Sequence, residues 1–124
     1  MSLKQHVSFI GSQNNPYNFI ANSDIFLTAS RWEGLSIAII DALYTGTNIV
    51  ATNCQYGPSE ILDNGKFGIL TKVNCEKDLL RGMIESVTKK KFLNSKLKNR
   101  LRAKFFFNLK PEKAYLKLIE DLLK

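Results

Sequence analysis

The chain has 124 residues and a net charge of +7, a length that suits one globular domain rather than two. Hydrophobic residues make up 44% and charged residues 23%, which excludes global disorder and a fibrous protein. The longest aliphatic run is only the four residues Ile37 to Ile40, whereas a membrane-spanning helix needs roughly 20. The start of the sequence has no apolar signal segment, so we expect a cytoplasmic location.

The positive charge is confined to the end of the chain. Residues 1–88 carry 6 Lys and Arg against 8 Asp and Glu, a net of −2, whereas residues 89–124 carry 12 against 3, a net of +9. The single histidine, His6, and two separated cysteines, Cys54 and Cys75, provide no metal cluster, and we expect both thiols to be reduced. We therefore interpret 1–124 as a single domain that ends in basic helices over 89–124.

In chain order, short β-prone runs alternate with helical patterns. The patterns predict strands at 7–10, 24–29, 48–52 and 67–70, and helices at 17–22, 35–44, 58–62, 75–89, 92–106 and 111–123. This alternation indicates an α/β fold with a parallel sheet of about four strands and flanking helices. A doubly wound domain commonly has about six strands, so we expect a partial Rossmann-like sheet, equivalent to the second half of such a domain.

One predicted helix carries apolar residues on one face, and the next carries an apolar stripe that we expect to face the core, with lysines covering its opposite side. These residues are Leu79, Leu80, Met83, Ile84 and Val87 in the first helix, and Leu93, Leu97, Leu101 and Phe105 in the second.

The segment from Ser30 to Leu43 is the most informative part of the sequence, because it joins a predicted strand to a predicted helix. Ligands of open α/β sheets bind beyond the carboxyl ends of strands, and a helix N-terminus there offers free N–H groups to a phosphate. Gly34 would let a ligand approach the backbone closely. The carboxylates of Glu33 and Asp41 would accept hydrogen bonds from hydroxyl groups. This combination fits a sugar nucleotide, whose diphosphate has hydroxyls on both sides.

A plainer interpretation makes both acids ordinary surface residues. Asp41 weighs against it, because this residue follows four apolar residues on a helix expected to be largely buried, where a charge needs a partner.

Several segments, given at the end of this paragraph, resemble the retaining glycosyltransferases of the GT-B fold, the group 1 or family 4 enzymes. Their signature is Glu-x7-Glu in the C-terminal, nucleotide-sugar-binding domain. The resemblance covers about half of the chain, from Val7 to Leu70, and the Cys54–Glu60 loop is similar to the branch that builds bacterial lipopolysaccharide, capsule or lipid-linked glycans. The matching segments are Ser30-Arg31-Trp32-Glu33-Gly34, Asp41-Ala42-Leu43, Gly46, Ile49-Val50-Ala51-Thr52 and Gly57-Pro58-Ser59-Glu60-Ile61-Leu62.

The resemblance implies a role for each matching residue. Glu33 corresponds to the first acid of the signature, which holds donor-sugar hydroxyls, and is the catalytic candidate. Asp41 corresponds to the second acid, which holds the ribose, although it is one methylene shorter than the family's Glu. The donor is a nucleotide-diphosphate sugar, and no metal or other cofactor is implied. The remaining candidates are Arg31, Gly34, Leu35 and Ser36 for donor binding, and Phe9, Ile10 and Gly11 beside the nucleobase.

The resemblance also implies parts that are not found before Val7. These are the basic pair that neutralises the diphosphate and the N-terminal domain that binds a glycan or lipid-linked acceptor. We therefore interpret the chain as a truncated donor-binding subdomain of a transferase for hexose or N-acetylhexosamine. We expect it to be inactive alone, to bind nucleotide sugars weakly and to self-associate through an open sheet edge.

Other interpretations stay open for the basic tail and for the function. The tail is either a solvated helical face or a contact for an anionic membrane surface, which would place the protein at the inner face of the membrane. Nucleic-acid binding lacks a recognised motif, and we do not expect it. The competing functions are a non-catalytic basic α/β module that binds nucleic acid or an anionic partner, and an epimerase or hydrolase that shares the fold.

Overall fold

The structure, a computed structural model, describes residues 3–88, 96–109 and 111–123. Within these ranges, three short parallel strands form one sheet in the order β1-β2-β3, surrounded by helices. The elements are a 3-10 turn at Lys4–His6, α1 at Tyr17–Ala21, β1 at Ile25–Thr28, α2 at Ile37–Thr45, β2 at Asn48–Thr52, α3 at Pro58–Ile61, β3 at Ile69–Thr71, α4 at Glu76–Thr88, α5 at Lys96–Phe107 and α6 at Pro111–Leu122.

The central strand β2 is buried on both faces because helices cover both sides of the sheet. Ile49 and Ala51 join the core cluster that contains α2, whereas Val50, which alternates with them, faces α4. Gly82 allows α4 to lie very close to the sheet, since a Cβ at this position would be 2.8 Å from Cγ2 of Thr71. All three strands run in the same direction and each ends in threonine, so their carboxyl ends share one edge.

The predicted α/β class, with a parallel sheet and flanking helices, is confirmed, but the strand predicted at Val7–Ile10 is wrong. This segment is irregular, and Phe9 at its centre is 97% exposed. Within the described residues, β1 pairs only with β2. Val7–Ile10 therefore has no neighbouring strand there to supply the hydrogen bonds that a β-strand needs. The sheet described here has three strands, not about four.

The predicted core face of α5 is also wrong, and the apolar face of α4 is turned inward only in part. In α4, Gly82 and Ser86 are buried and Leu79 and Met83 are half-buried, whereas Leu80, Ile84 and Val87 are more than half exposed. In α5 the face that packs inward contains Asn99, Ala103 and Phe106, whereas Leu97, Leu101 and Phe105 point outward. The small residues Gly82 and Ala103 let each helix approach its neighbour closely, and this decides the buried face. Leu93 lies outside the described residues.

Candidate active site

The predicted catalytic residue Glu33 lies on the loop that leaves the carboxyl end of β1, where a chain of hydroxyl groups fixes it. Ser30 Oγ donates a hydrogen bond to Glu33 Oε1 at 2.6 Å, and Thr28 Oγ1 lies 3.0 Å from Ser30 Oγ. From the next strand, Thr52 Oγ1 donates to the carbonyl of Ser30 at 2.5 Å. Glu33 is half-buried, and this network orients its carboxylate at the edge of the sheet.

A second loop, which follows β2, packs directly on the Glu33 segment. Gly57 has a φ of +87°, and a Cβ there would lie 2.2 Å from the carbonyl oxygen of Gly34 and 3.6 Å from Cβ of Glu33. Only glycine fits this contact, because a side chain would overlap the Gly34 carbonyl. The two loops therefore hold each other in place.

Open space remains on the other side of Gly34, at the start of α2. A Cβ added to Gly34 would meet no atom within 4 Å. Ser36 is buried just before the helix, and its carbonyl accepts hydrogen bonds from the N–H groups of Ile39 and Ile40, while Leu35 is 54% exposed. The first N–H groups of a helix have no partner within the helix and carry partial positive charge, so this end of α2 suits an anion.

Asp41 lies on the second turn of α2, and its partner is a tyrosine that the sequence analysis missed. Tyr17 Oη donates a hydrogen bond to Asp41 Oδ1 at 3.1 Å. This hydrogen bond, together with the nearby negative charge of Asp41, raises the pKa of the Tyr17 phenol, because loss of the proton would place two anions side by side. The sequence did contain a signal that such a partner exists, because Asp41 is an acid within an apolar helix and a buried charge requires a partner.

A crevice of about 350 Å³ opens at the same edge of the sheet and brings two cations together. Arg31, predicted from the sequence, and Lys72, which was missed, both line this crevice beside Thr52 and the start of α4. Lys72 directly follows β3, and its position after a predicted strand was the signal that could have identified it. Because Glu76 also lines the crevice, the two cations leave a net charge of +1 there, which suits an anion such as phosphate.

The structure does not bring every candidate to this edge. Phe9, Ile10 and Gly11 lie in the irregular segment outside the sheet, so their contact with a nucleobase stays a prediction. Trp32, on the same loop as Glu33, is 79% exposed.

Other features of the described ranges bear on the chemistry. No three His, Cys, Asp or Glu side chains in these ranges gather as a metal site. Cys54 and Cys75 are free thiols, the first of them buried. None of the helices within these ranges is long and apolar enough to cross a membrane.

Comparison with solved structures identifies the fold. A glycosyltransferase from Rickettsia africae superimposes with a TM-score of 0.76 at 18% identity, over 98% of this chain and 33% of that one. TarM gives a TM-score of 0.64 at 20% identity, over 87% of this chain and 22% of that one. The chain thus has the architecture of part of a GT-B glycosyltransferase.

Comparison of sequences then identifies the family. Residues 1–104 match the model for glycosyl transferases group 1, and the chain belongs to this family. A relative from Campylobacter jejuni is 31% identical over 122 residues and is named N-acetylgalactosamine-N,N'-diacetylbacillosaminyl-diphospho-undecaprenol 4-alpha-N-acetylgalactosaminyltransferase. A relative from Escherichia coli is 31% identical over 99 residues and is named UDP-Gal:alpha-D-GlcNAc-diphosphoundecaprenol alpha-1,3-galactosyltransferase.

These matches cover 96% of the chain but 33% of the first relative, and 80% of the chain but 25% of the second. The chain therefore spans about a third or less of the length of these curated relatives. The resemblance to group 1 glycosyltransferases is confirmed.

Proposed function

We propose that this chain binds the nucleotide-diphosphate sugar donor of a retaining glycosyltransferase. The observation that carries the proposal is the position of Glu33, which hydroxyl groups fix at the carboxyl edge of the sheet next to the open N-terminus of α2. A fixed carboxylate is suited to hydrogen-bond sugar hydroxyls, and the adjacent helix end is suited to the diphosphate.

The donor would extend along this edge. Glu33 would hold the sugar, while the backbone of Gly34, Leu35 and Ser36 would face the diphosphate. Arg31 and Lys72 supply positive charge in the neighbouring crevice. These groups would stabilise the charge that develops on the diphosphate leaving group, and the proposed reaction requires no resident metal or cofactor.

The ribose would lie against α2. Asp41 would accept hydrogen bonds from the ribose hydroxyls through Oδ2, since Oδ1 already accepts one from Tyr17. The hydrogen bond from Tyr17 would hold this carboxylate in one orientation.

The acceptor we propose is lipid-linked, and the transferred group a hexose or N-acetylhexosamine. Support comes from the names of the two relatives, both of which act on diphospho-undecaprenol-linked sugars. Residues outside this chain would bind the acceptor, and the reaction would take place in the cytoplasm at the inner face of the membrane.

Calorimetry with UDP and with UDP-N-acetylgalactosamine tests the donor site. We expect dissociation constants near the millimolar range, because the chain spans about a third or less of these relatives and each charge-assisted contact made outside it would add about 1.5–3 kcal/mol, with about 1.4 kcal/mol for a tenfold change. Glu33→Gln should weaken the sugar nucleotide but not UDP, whereas Asp41→Asn should weaken both.

Glu60→Gln is the matched control, because Glu60 is an exposed acid on α3 and should leave both affinities unchanged. Equal binding of both ligands by Glu33→Gln and the unaltered chain would contradict the role of Glu33. Micromolar affinity of the unaltered chain would contradict the interpretation of a partial donor site.

A second candidate, the non-catalytic module for an anionic partner, is favoured by one observation. Helix α5 carries five Lys and Arg residues and no acid. A salt-dependent shift with nonspecific DNA, together with no response to UDP, would support it.

A further inference from the structure

The outward face of α5 carries a row of apolar side chains, whereas a helix face turned to solvent normally carries polar ones. Leu97, Leu101 and Phe105 recur every four residues and are 70%, 58% and 55% exposed. They form one continuous stripe along the helix, because residues four apart lie above one another. We call this stripe and its flanking cations the α5 face.

Cations border the stripe on both sides. At about 100° per residue, Lys104 and Arg100 lie on one side of the row and Lys98 on the other. Lys96–Phe107 contains five Lys and Arg residues and no Asp or Glu. An apolar stripe between two cationic borders is the pattern of a helix that lies in a membrane interface.

The α5 face is held in position by contacts of the opposite side of the helix. Phe106 is buried in the core, and Arg102 Nε donates to the carbonyl of Ile61 at 3.0 Å. At the border of the stripe, Arg100 Nε also donates to the carbonyl of Tyr44 at 3.2 Å. The face is therefore ordered before any partner binds, which lowers the entropic cost of binding.

A groove of about 570 Å³ runs beside the stripe and extends the amphipathic surface. Leu97 and Leu101 contribute to its lining, and so do Tyr17 and Tyr44. Tyrosines combine an apolar ring with a polar tip and are enriched where one end is apolar and the other is wet. The groove thus has the mixed character of the interface between lipid and water.

We propose that the α5 face docks on a lipid surface that carries anionic headgroups. The apolar row would enter the boundary between headgroups and acyl chains, and the bordering lysines would contact lipid phosphates. A second copy is a poorer occupant, because two such faces would oppose three cations, Lys98, Arg100 and Lys104, to three. Nucleic acid is also a poorer occupant, because its phosphates would lie against the apolar row. This inference goes beyond the proposed donor site and does not depend on it.

Helix α4 provides the matched control within the same chain. Leu80 and Ile84 are 57% and 53% exposed, close to the values on α5. However, Glu76–Thr88 contains three acids against two cations. A lipid surface that selects the α5 face by charge should not select this helix.

Flotation with phospholipid vesicles tests the proposal. The chain should bind vesicles in which about a third of the lipid is phosphatidylglycerol, and bind phosphatidylcholine vesicles much more weakly.

Lys98→Gln with Lys104→Gln should lower the partition coefficient about 25-fold, at about fivefold for each cation. Leu97→Gln with Leu101→Gln should lower it at least about tenfold, whereas Leu80→Gln with Ile84→Gln should leave it unchanged. All substituted side chains are on helix surfaces, and circular dichroism of each variant should match that of the unaltered chain.

Each contrary result overturns the proposal. Equal binding to both kinds of vesicle would exclude recognition of anionic lipid. Full binding by the Leu97 and Leu101 variant, or loss of binding by the α4 variant, would move the contact away from α5. Failure to bind vesicles combined with a shift of DNA would assign the cations to nucleic acid. Failure combined with loss of a dimer in the Leu97 and Leu101 variant would assign the stripe to a second copy.

Discussion

At the scale of single residues, one glycine sets how closely the two loops at the carboxyl edge of the sheet approach. The carbonyl of Gly34 lies where a side chain on residue 57 would stand, and the backbone of Gly57 has a positive φ of +87°. Glu33 is adjacent to this contact. The position of the proposed catalytic carboxylate therefore depends on a residue that carries no functional group.

Gly57→Ala should destabilise the protein and displace the Glu33 loop. The left-handed backbone alone costs about 1–3 kcal/mol for a residue other than glycine, and overlap with Gly34 adds to this cost. Gly65→Ala is the control, since Gly65 has a φ of +93° but its nearest contact for a Cβ is at 3.6 Å. In urea denaturation, Gly57→Ala should lose more stability than Gly65→Ala. Equal losses would show that the two loops separate without cost.

At the scale of elements, Asp78 joins the end of β3 to α4. Its Oδ2 accepts a hydrogen bond from the backbone N–H of Lys72 at 2.7 Å, and its Oδ1 accepts one from Arg81 Nε at 2.7 Å. These donors, Arg81 first, lower the pKa of the Asp78 carboxyl below its usual value, because they favour the charged form. Asp78 thus fixes the first turn of α4 against the loop that also carries Lys72.

The lowered pKa of Asp78 predicts how stability depends on pH. A carboxyl whose pKa is lower in the folded state contributes stability above its unfolded pKa and loses it as pH falls through the folded pKa. Asp78→Asn should therefore lower the melting temperature at neutral pH, and the gap to the unaltered chain should close at acidic pH. Glu112→Gln is the control, because α6 has no buried residue. A gap that stays constant down to the acid limit would contradict the contribution of the ionised carboxylate.

Helix α4 also depends on Gly82, where it touches the sheet. Alanine normally stabilises a helix relative to glycine by about 0.5–1 kcal/mol. Here its methyl group would lie 2.8 Å from Thr71 and 3.0 Å from Val50, and overpacking of a core costs about 1–3 kcal/mol. We expect Gly82→Ala to lower the free energy of unfolding by about 1–2 kcal/mol, measured by urea denaturation. A gain in stability would show that α4 can move away from the sheet.

These elements also show how far the sequence could be interpreted. The strand at 48–52 was predicted with its observed bounds, and the helix predicted at 35–44 ends within one residue of α2, just before Gly46 with its φ of +80°. Both signals are local. The inward faces of α4 and α5 depend on contacts with distant segments, which apolar spacing does not contain.

The residues of the candidate site also fall into two groups: those that a local pattern predicts and those that depend on contacts between distant segments. Glu33 and Asp41 were identified from a motif, because their spacing is contained in the sequence. The partner of Asp41 could not be identified in this way. Tyr17 lies 24 residues away, and only the packing of α1 on α2 brings it close to Asp41. Lys72 was missed for the same reason, since parallel pairing of the strands places it near Arg31.

At the scale of the whole molecule, the outer edge of β1 is open to pairing with other chains. The sheet order ends at β1, and no strand pairs with its outer edge within the described ranges. Leu27 in this strand is 40% exposed. An unpaired edge offers backbone groups to a strand of another molecule, and the exposed apolar side chain adds to the attraction.

We therefore expect the chain to self-associate through the outer edge of β1 as concentration rises. The net charge of +7 opposes this only weakly, because at about 0.15 M salt charges beyond roughly 8 Å are screened. Leu27→Lys should favour the monomer, since a charge on an edge strand resists pairing. Leu80→Lys adds the same charge on α4 and should not change the association. Sedimentation velocity at several concentrations distinguishes these outcomes. A monomer at every concentration would show that other segments of the same chain cover the edge, and a dimer that persists in Leu27→Lys would place the contact on another surface.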